Sequence, residues 1–118
     1  MLFYKKERDN LSFPITWVKA LAKANRIHVS AHAFDRMGER MIPLDDVMRA
    51  IEYGEVIEIQ DGPWHFDVKV LFQKATPDKP QFYVVVAASY PEAEIVTVIL
   101  PDDDEWELCG TMLRRKKQ

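Results

Sequence analysis

Phe82-Tyr83-Val84-Val85-Val86-Ala87-Ala88 is a run of β-branched, aromatic and small residues with no charge in it, and such residues suit the pleated surface of a sheet. Tyr90-Pro91-Glu92-Ala93 then turns the chain into a second run of the same kind, Ile95-Val96-Thr97-Val98-Ile99-Leu100. Both runs are apolar on both faces, which places them at the centre of the sheet. Toward the N-terminus, Phe66, Val68, Val70 and Phe72 alternate with Asp67, Lys69 and Leu71, and Glu55-Val56-Ile57-Glu58-Ile59 alternates more loosely before an Asp61-Gly62-Pro63 turn. Two alternating runs joined by such a turn form a hairpin. Thr76-Pro77-Asp78-Lys79-Pro80 is the loop that leads from it into the central pair.

Further upstream the period changes from that of strands to that of helices. Ile15, Val18, Leu21 and Ala22 recur with helical spacing between Ser12-Phe13-Pro14 and Asn25. After a short extended link, Ile27-His28-Val29, Ser30 is a good N-cap for a second helix whose apolar side gathers Ala33, Phe34, Met37 and Met41. Pro43 suits the first turn of a third helix, Val47, Ala50 and Ile51 give it an apolar face, and Gly54 stops it. Three helices followed by four strands on short turns predict an α+β fold, with the N-terminal helices packed on one face of a four-stranded antiparallel sheet. One domain covers 1–118, with the segment 1–11 and the basic tail 114–118 expected to be mobile. Asp102-Asp103-Asp104-Glu105 is read as a solvated turn leaving the sheet, and Trp106 and Leu108 as the start of a last short element.

With 47% hydrophobic and 30% charged residues, the chain has the composition of a folded domain rather than a disordered one. No apolar run long enough for a membrane helix and no secretion signal is seen, so no membrane association and a cytoplasmic location are expected. A net charge of −3 argues against nonspecific coating of nucleic acid, so any such role needs a local basic site. Cys109 is the single cysteine, which excludes an internal disulfide and reads as a small packing residue. With a single cysteine there is no Cys-x2-Cys pair, no carboxylate-rich ligand spacing stands outside the acidic block, and there is no glycine-rich phosphate loop, so no metal and no cofactor are expected.

The most informative polar pattern is His32, Arg36 and Arg40, at i, i+4 and i+8 along one face of the second helix. Two arginines one turn apart repel by a few tenths of a kcal/mol, so the arrangement points to an anion supplied from elsewhere. A nucleic-acid phosphate would serve. So would a structural set of carboxylates drawn from Asp35, Glu39, Glu55 and Glu58.

Ser30-Ala31-His32-Ala33 with Arg36, Arg40 and Ile42, then Val47, Ala50-Ile51 and Gly54-Glu55-Val56-Ile57-Glu58, and finally Ile95-Val96-Thr97-Val98, together resemble the bacterial domain of unknown function 4258 family. The resemblance spans about residues 27–100. That family is similar to the barnase, EndoU, colicin and RelE group of ribonuclease toxins, and many of its members look like toxins encoded beside a zinc-finger antitoxin. The resemblance implies metal-independent RNA cleavage by attack of the ribose 2′-hydroxyl on its own phosphate, leaving a cyclic 2′,3′-phosphate. Residue by residue, it extends to His32, Arg36, Arg40 and Thr97.

In-line cleavage needs a base, an acid and positive groups for the charge that builds on phosphorus. His32 falls in the first helical turn, where free backbone N–H groups favour an anion, and is read as the base. Arg36, one turn on, is placed to grip the same phosphate, and Lys69 is the candidate third cation. His32, Arg36 and Lys69 are thus the candidate catalytic residues. Arg40, Thr97 and Tyr83 are the candidate substrate-binding residues, Tyr83 with Trp64 as a stacking surface for a base. His28 and His65 have no partner near them in sequence. The expected partners are RNA and a cognate antitoxin of zinc-finger type, and the alternative is a non-catalytic module that binds protein or nucleic acid through the same face.

Overall fold

The computed structural model describes residues 14–61, 68–74, 82–88 and 92–117. The segment 1–11, Trp64 and His65 therefore lie outside the described residues. Helix α1 covers 14–23 and ends where Asn25 turns left-handed, at φ 61°. Strand β1 (His28–Val29), helices α2 (Ala31–Arg40) and α3 (Leu44–Tyr53), and strands β2 (Val56–Asp61), β3 (Val68–Gln73), β4 (Tyr83–Ala87), β5 (Glu94–Ile99), β6 (Trp106–Cys109) and β7 (Met112–Arg115) follow.

The α+β class is as expected from the sequence; the strand count is not, and β1 precedes α2 and α3. The main sheet has five strands in the order β1-β5-β4-β3-β2, and β6 and β7 form a separate two-stranded sheet. β2 to β5 are antiparallel neighbours, but β1 lies parallel to β5. A two-residue strand is too short to show a period, and its partner is far along the chain, so the extended link at His28 gave no local sign of pairing. The two all-apolar runs take inner positions, β4 at the centre with β5 beside it, because only inner strands have both faces covered.

One face of the sheet carries the helices. Val70, Phe72, Val84, Val86, Ile95 and Val98 are fully buried there against Val18 of α1, Ala33 of α2 and Val47, Ala50 and Ile51 of α3. Burying a side chain of this size contributes about 1.5–3 kcal/mol, so this layer is the main source of stability. Lys19 ties α1 to α3: its ammonium donates to the carbonyls of Ile51, Glu52 and Gly54 and lies 5.0 Å from the centre of the Phe72 ring. It thereby satisfies the carbonyl end of α3, where orphan acceptors and the helix dipole attract a cation. Burial lowers the Lys19 pKa from its ordinary value, against the opposing pull of Glu55 and Glu52.

Gly54 ends α3 for a reason of space rather than of backbone freedom, since its φ is −78°. A methyl group at this position would overlap Gln73 O on β3 and Ala50 O on α3. Pro43, expected inside the first turn, stands one residue earlier as the N-cap of α3.

The second face is half covered by the β6–β7 hairpin. Trp106 and Leu113 pack on Leu71, Tyr83 and Val85. Gln73, 3% exposed, docks the hairpin with both ends of its amide, donating to Thr111 O at 2.8 Å and accepting from Leu113 N–H at 2.8 Å. Arg115 lies over the Trp106 ring and grips Glu58 of β2 through two hydrogen bonds of 2.7 and 2.8 Å. The basic tail therefore begins later than the sequence indicated, because Arg114 and Arg115 are the last residues of β7, Arg114 pairing with Glu107. Gly110, at φ 71°, supplies the positive φ that a two-residue hairpin loop needs. Asp102–Glu105 forms the expected exposed turn, closed by Asp102 accepting from the N–H of Asp104.

Candidate functional site

Helix α2 starts where β1 stops, and Ser30 makes the joint. Its hydroxyl oxygen accepts from Ala33 N–H at 3.0 Å, capping the helix, and donates to Val96 O at 2.9 Å on β5. Ten residues on, the Arg40 guanidinium donates to Val98 O at 2.8 Å. Two carbonyls of β5 are thus held by side chains at the two ends of α2, beyond the point where β1 ceases to pair. The helix is clasped along the border of the sheet. This position explains a correction to the sequence reading. Ala33 and Met37 are buried, whereas Phe34 is 53% and Met41 88% exposed, because a helix at the rim buries a narrower stripe than one in the middle of a layer. Met41 instead ends α2 in the left-handed conformation, φ 55°.

The His32, Arg36 and Arg40 stripe thus runs beside β5. His32 is exposed in the first turn, and no hydrogen bond or ion pair among the described residues engages its side chain. Arg36 makes an exposed pair with Glu39, 2.7 Å long, one turn along the same helix. Such pairs contribute at most a few tenths of a kcal/mol and are readily exchanged for a better anion. Among the described residues Arg40 pairs with no carboxylate, and its guanidinium donates to the Val98 carbonyl. Of the carboxylates that might have balanced the two arginines, only Glu39 does so, since Glu58 is taken by Arg115.

Lys69 and Thr97 belong to a different surface. On β3, Val68, Val70 and Phe72 point into the helix layer, so Lys69 points to the second face. Thr97 faces the same way, in register with Val85. Both are partly exposed. Lys69 is two strands from β5, roughly 10 Å across the sheet, and is not brought to the His32 stripe. What joins the two groups is β5, which offers edge carbonyls to α2 and side chains to the second face.

Strand register places a row of side chains across the second face. Gln60, Lys69, Ala87, Glu94 and His28 are successive cross-strand partners on β2, β3, β4, β5 and β1, and partners in register share a face. His28, which has no neighbour of note in sequence, therefore stands beside Glu94. Tyr83, expected to stack a base, is corrected by the structure. It is 5% exposed, its ring 5.1 Å from that of Trp106, and burial raises its hydroxyl pKa above the ordinary value. The hairpin occupies the place where a base would lie. Cys109, read as a packing residue, is exposed beside the hairpin tip.

Among the described residues no group of three or more His, Cys, Asp or Glu side chains is gathered to hold a metal ion. Nor is any described helix long and apolar enough to cross a membrane. A family model described as a domain of unknown function (DUF4258) matches residues 29–100, from the last residue of β1 to the end of β5. No curated protein and no solved structure matches the chain.

Proposed function

The chain belongs to the DUF4258 family of domains of unknown function, and from that premise we propose that it is a metal-independent endoribonuclease of the toxin type, built on a RelE- or barnase-like plan. The observation that carries the reading is the exposed His32–Arg36 pair in the first two turns of α2, where among the described residues no hydrogen bond or ion pair engages the His32 side chain and only the surface carboxylate of Glu39 pairs with Arg36. An imidazole one turn from a guanidinium supplies a base beside an anion clamp, which is the minimum that in-line cleavage requires. A phosphodiester seated on Arg36 displaces Glu39, and the 2′-hydroxyl beside that phosphate gives its proton to His32. Lys69 and Thr97, partly exposed on the second face, receive the RNA that continues past the β5 edge. Arg40 serves by fixing the helix to β5 rather than by meeting substrate.

The net charge of −3 gives the protein little long-range attraction for RNA, so recognition rests on these local cations. The toxin reading carries a cognate antitoxin as partner, expected of zinc-finger type, and a cytoplasmic setting. Incubation of the purified protein with RNA in the presence of a chelator is expected to give products ending in cyclic 2′,3′-phosphate, abolished by His32→Ala and by Arg36→Ala. Undiminished cleavage by both variants removes these residues from the mechanism. Salt-dependent RNA binding with no cleavage assigns the face to a non-catalytic nucleic-acid-binding module instead.

A further inference from the structure

In-line cleavage needs a proton donor for the departing 5′-oxygen, and nothing else on α2 supplies one. The row across the second face does. His28 and Glu94 are register partners on adjacent parallel strands, about 5 Å apart along the sheet, and both are exposed. On the other side of Glu94 stands Ala87, whose methyl group leaves a gap, and beyond it Lys69. No side-chain hydrogen bond or ion pair among the described residues holds His28, Glu94 or Lys69. His28 is also tethered to His32 by two extended residues and the first turn of α2, which keeps their Cα atoms within about 14 Å. Imidazoles carried at that separation can approach opposite sides of one phosphodiester.

Resting on the ribonuclease reading above, we propose that His28 is the general acid of the reaction, oriented by Glu94, with Lys69 binding the RNA backbone across the Ala87 gap. His32 takes the proton of the 2′-hydroxyl as the 2′-oxygen bonds to phosphorus. The bond from phosphorus to the 5′-oxygen breaks, and that oxygen takes the proton of the His28 imidazolium. The products are a cyclic 2′,3′-phosphate and a free 5′-hydroxyl, with His32 protonated and His28 neutral, and exchange with water resets both. A carboxylate in register beside His28 suits this role, because an imidazole N–H donating to it orients the ring. Glu94 is a positioning residue in this scheme. It faces the imidazole rather than the phosphate, which would repel it.

The test uses two RNAs of one sequence, one natural and one with sulfur in place of the leaving 5′-oxygen at the position the wild type cuts. A thiolate leaves without a proton, so loss of the acid costs nothing there. On natural RNA, His28→Ala is expected to lose about 100-fold or more in rate, within the range of a general acid, and Glu94→Gln a smaller factor. On the sulfur-containing RNA both variants are expected within several-fold of wild type, whereas His32→Ala fails on both. A purely structural loss would lower both rates together. Equal losses by His28→Ala on the two RNAs, or no loss on natural RNA, overturn the assignment of His28 while leaving the ribonuclease reading intact. Failure of the wild type on both RNAs overturns the two readings together.

Discussion

Replacing Arg40 by alanine separates a helix clasp from a surface cation, and the structure sets the size of the effect. The guanidinium donates to Val98 O at 2.8 Å, and a hydrogen bond from a charged donor is worth about 1.5–3 kcal/mol. The lower part of that range applies, since a carbonyl at the sheet border accepts from water once the guanidinium is gone. Arg40 also stands in the last turn of α2, where a cation gains about 0.3–1 kcal/mol from the helix dipole. Relief of its repulsion with Arg36 returns about 0.2–0.5 kcal/mol. The balance is a loss of roughly 1.5–2.5 kcal/mol, which for a chain of this length lowers Tm by about 6–10 °C. Arg36→Ala removes one exposed pair with Glu39 and the same repulsion, two small effects of opposite sign, so its stability stays within about 0.5 kcal/mol of the parent. Urea unfolding of the two variants side by side measures the difference. Equal losses in the two, or a neutral Arg40→Ala, refute the assignment of Arg40 to the clasp.

The remaining expectations concern stability at other points of the frame. Arg115 holds the Glu58 carboxyl below its ordinary pKa of 4.5. The stabilisation from Glu58 is therefore complete above about that pH and is lost as pH falls further, through the folded-state value. Glu58→Gln should make the unfolding free energy less sensitive to pH over that acid range, as read from urea titrations, and an unchanged acid limb argues against the pairing. Gly54→Ala forces a methyl group onto the Gln73 and Ala50 carbonyls and is expected to cost about 3 kcal/mol or more, seen as a sharp drop in Tm; a neutral result would place α3 further from β3. Met41→Gly removes a left-handed non-glycine residue that is 88% exposed and is expected to stabilise by about 0.5–1 kcal/mol, checked by the urea midpoint.

The sequence by itself determined the elements whose signals are local. Ser30 announced the start of α2, because an N-cap is a property of one residue and the turn that follows it. The runs 82–88 and 95–100 announced inner strands, because a stretch apolar at every position has to be covered on both faces. The His32, Arg36 and Arg40 stripe was legible for the same reason, since a helix brings residues one turn apart together whatever the rest of the chain does. Two further features carried signals in retrospect: Gly110-Thr111 between alternating residues marks the β6–β7 hairpin, and Lys19 follows the apolar spacing of α1 closely enough to reach the next layer.

What only the tertiary structure decided are the relations between residues distant in the chain. The parallel pairing of β1 with β5 put His28 beside Glu94, and β-sheet register, not spacing, put Lys69 in the same row across Ala87. The hairpin's docking through Gln73 buried Tyr83 and left Lys69 and Thr97 partly exposed on that face. The place of α2 at the sheet border exposed Phe34 and gave Arg40 a backbone carbonyl instead of a carboxylate. The physical reason is common to all three. Periodicity and caps are energies of neighbours in sequence, whereas the face a strand residue takes and the anion an arginine meets depend on which strands pair and in what register, and those choices are settled by burial summed over the whole sheet.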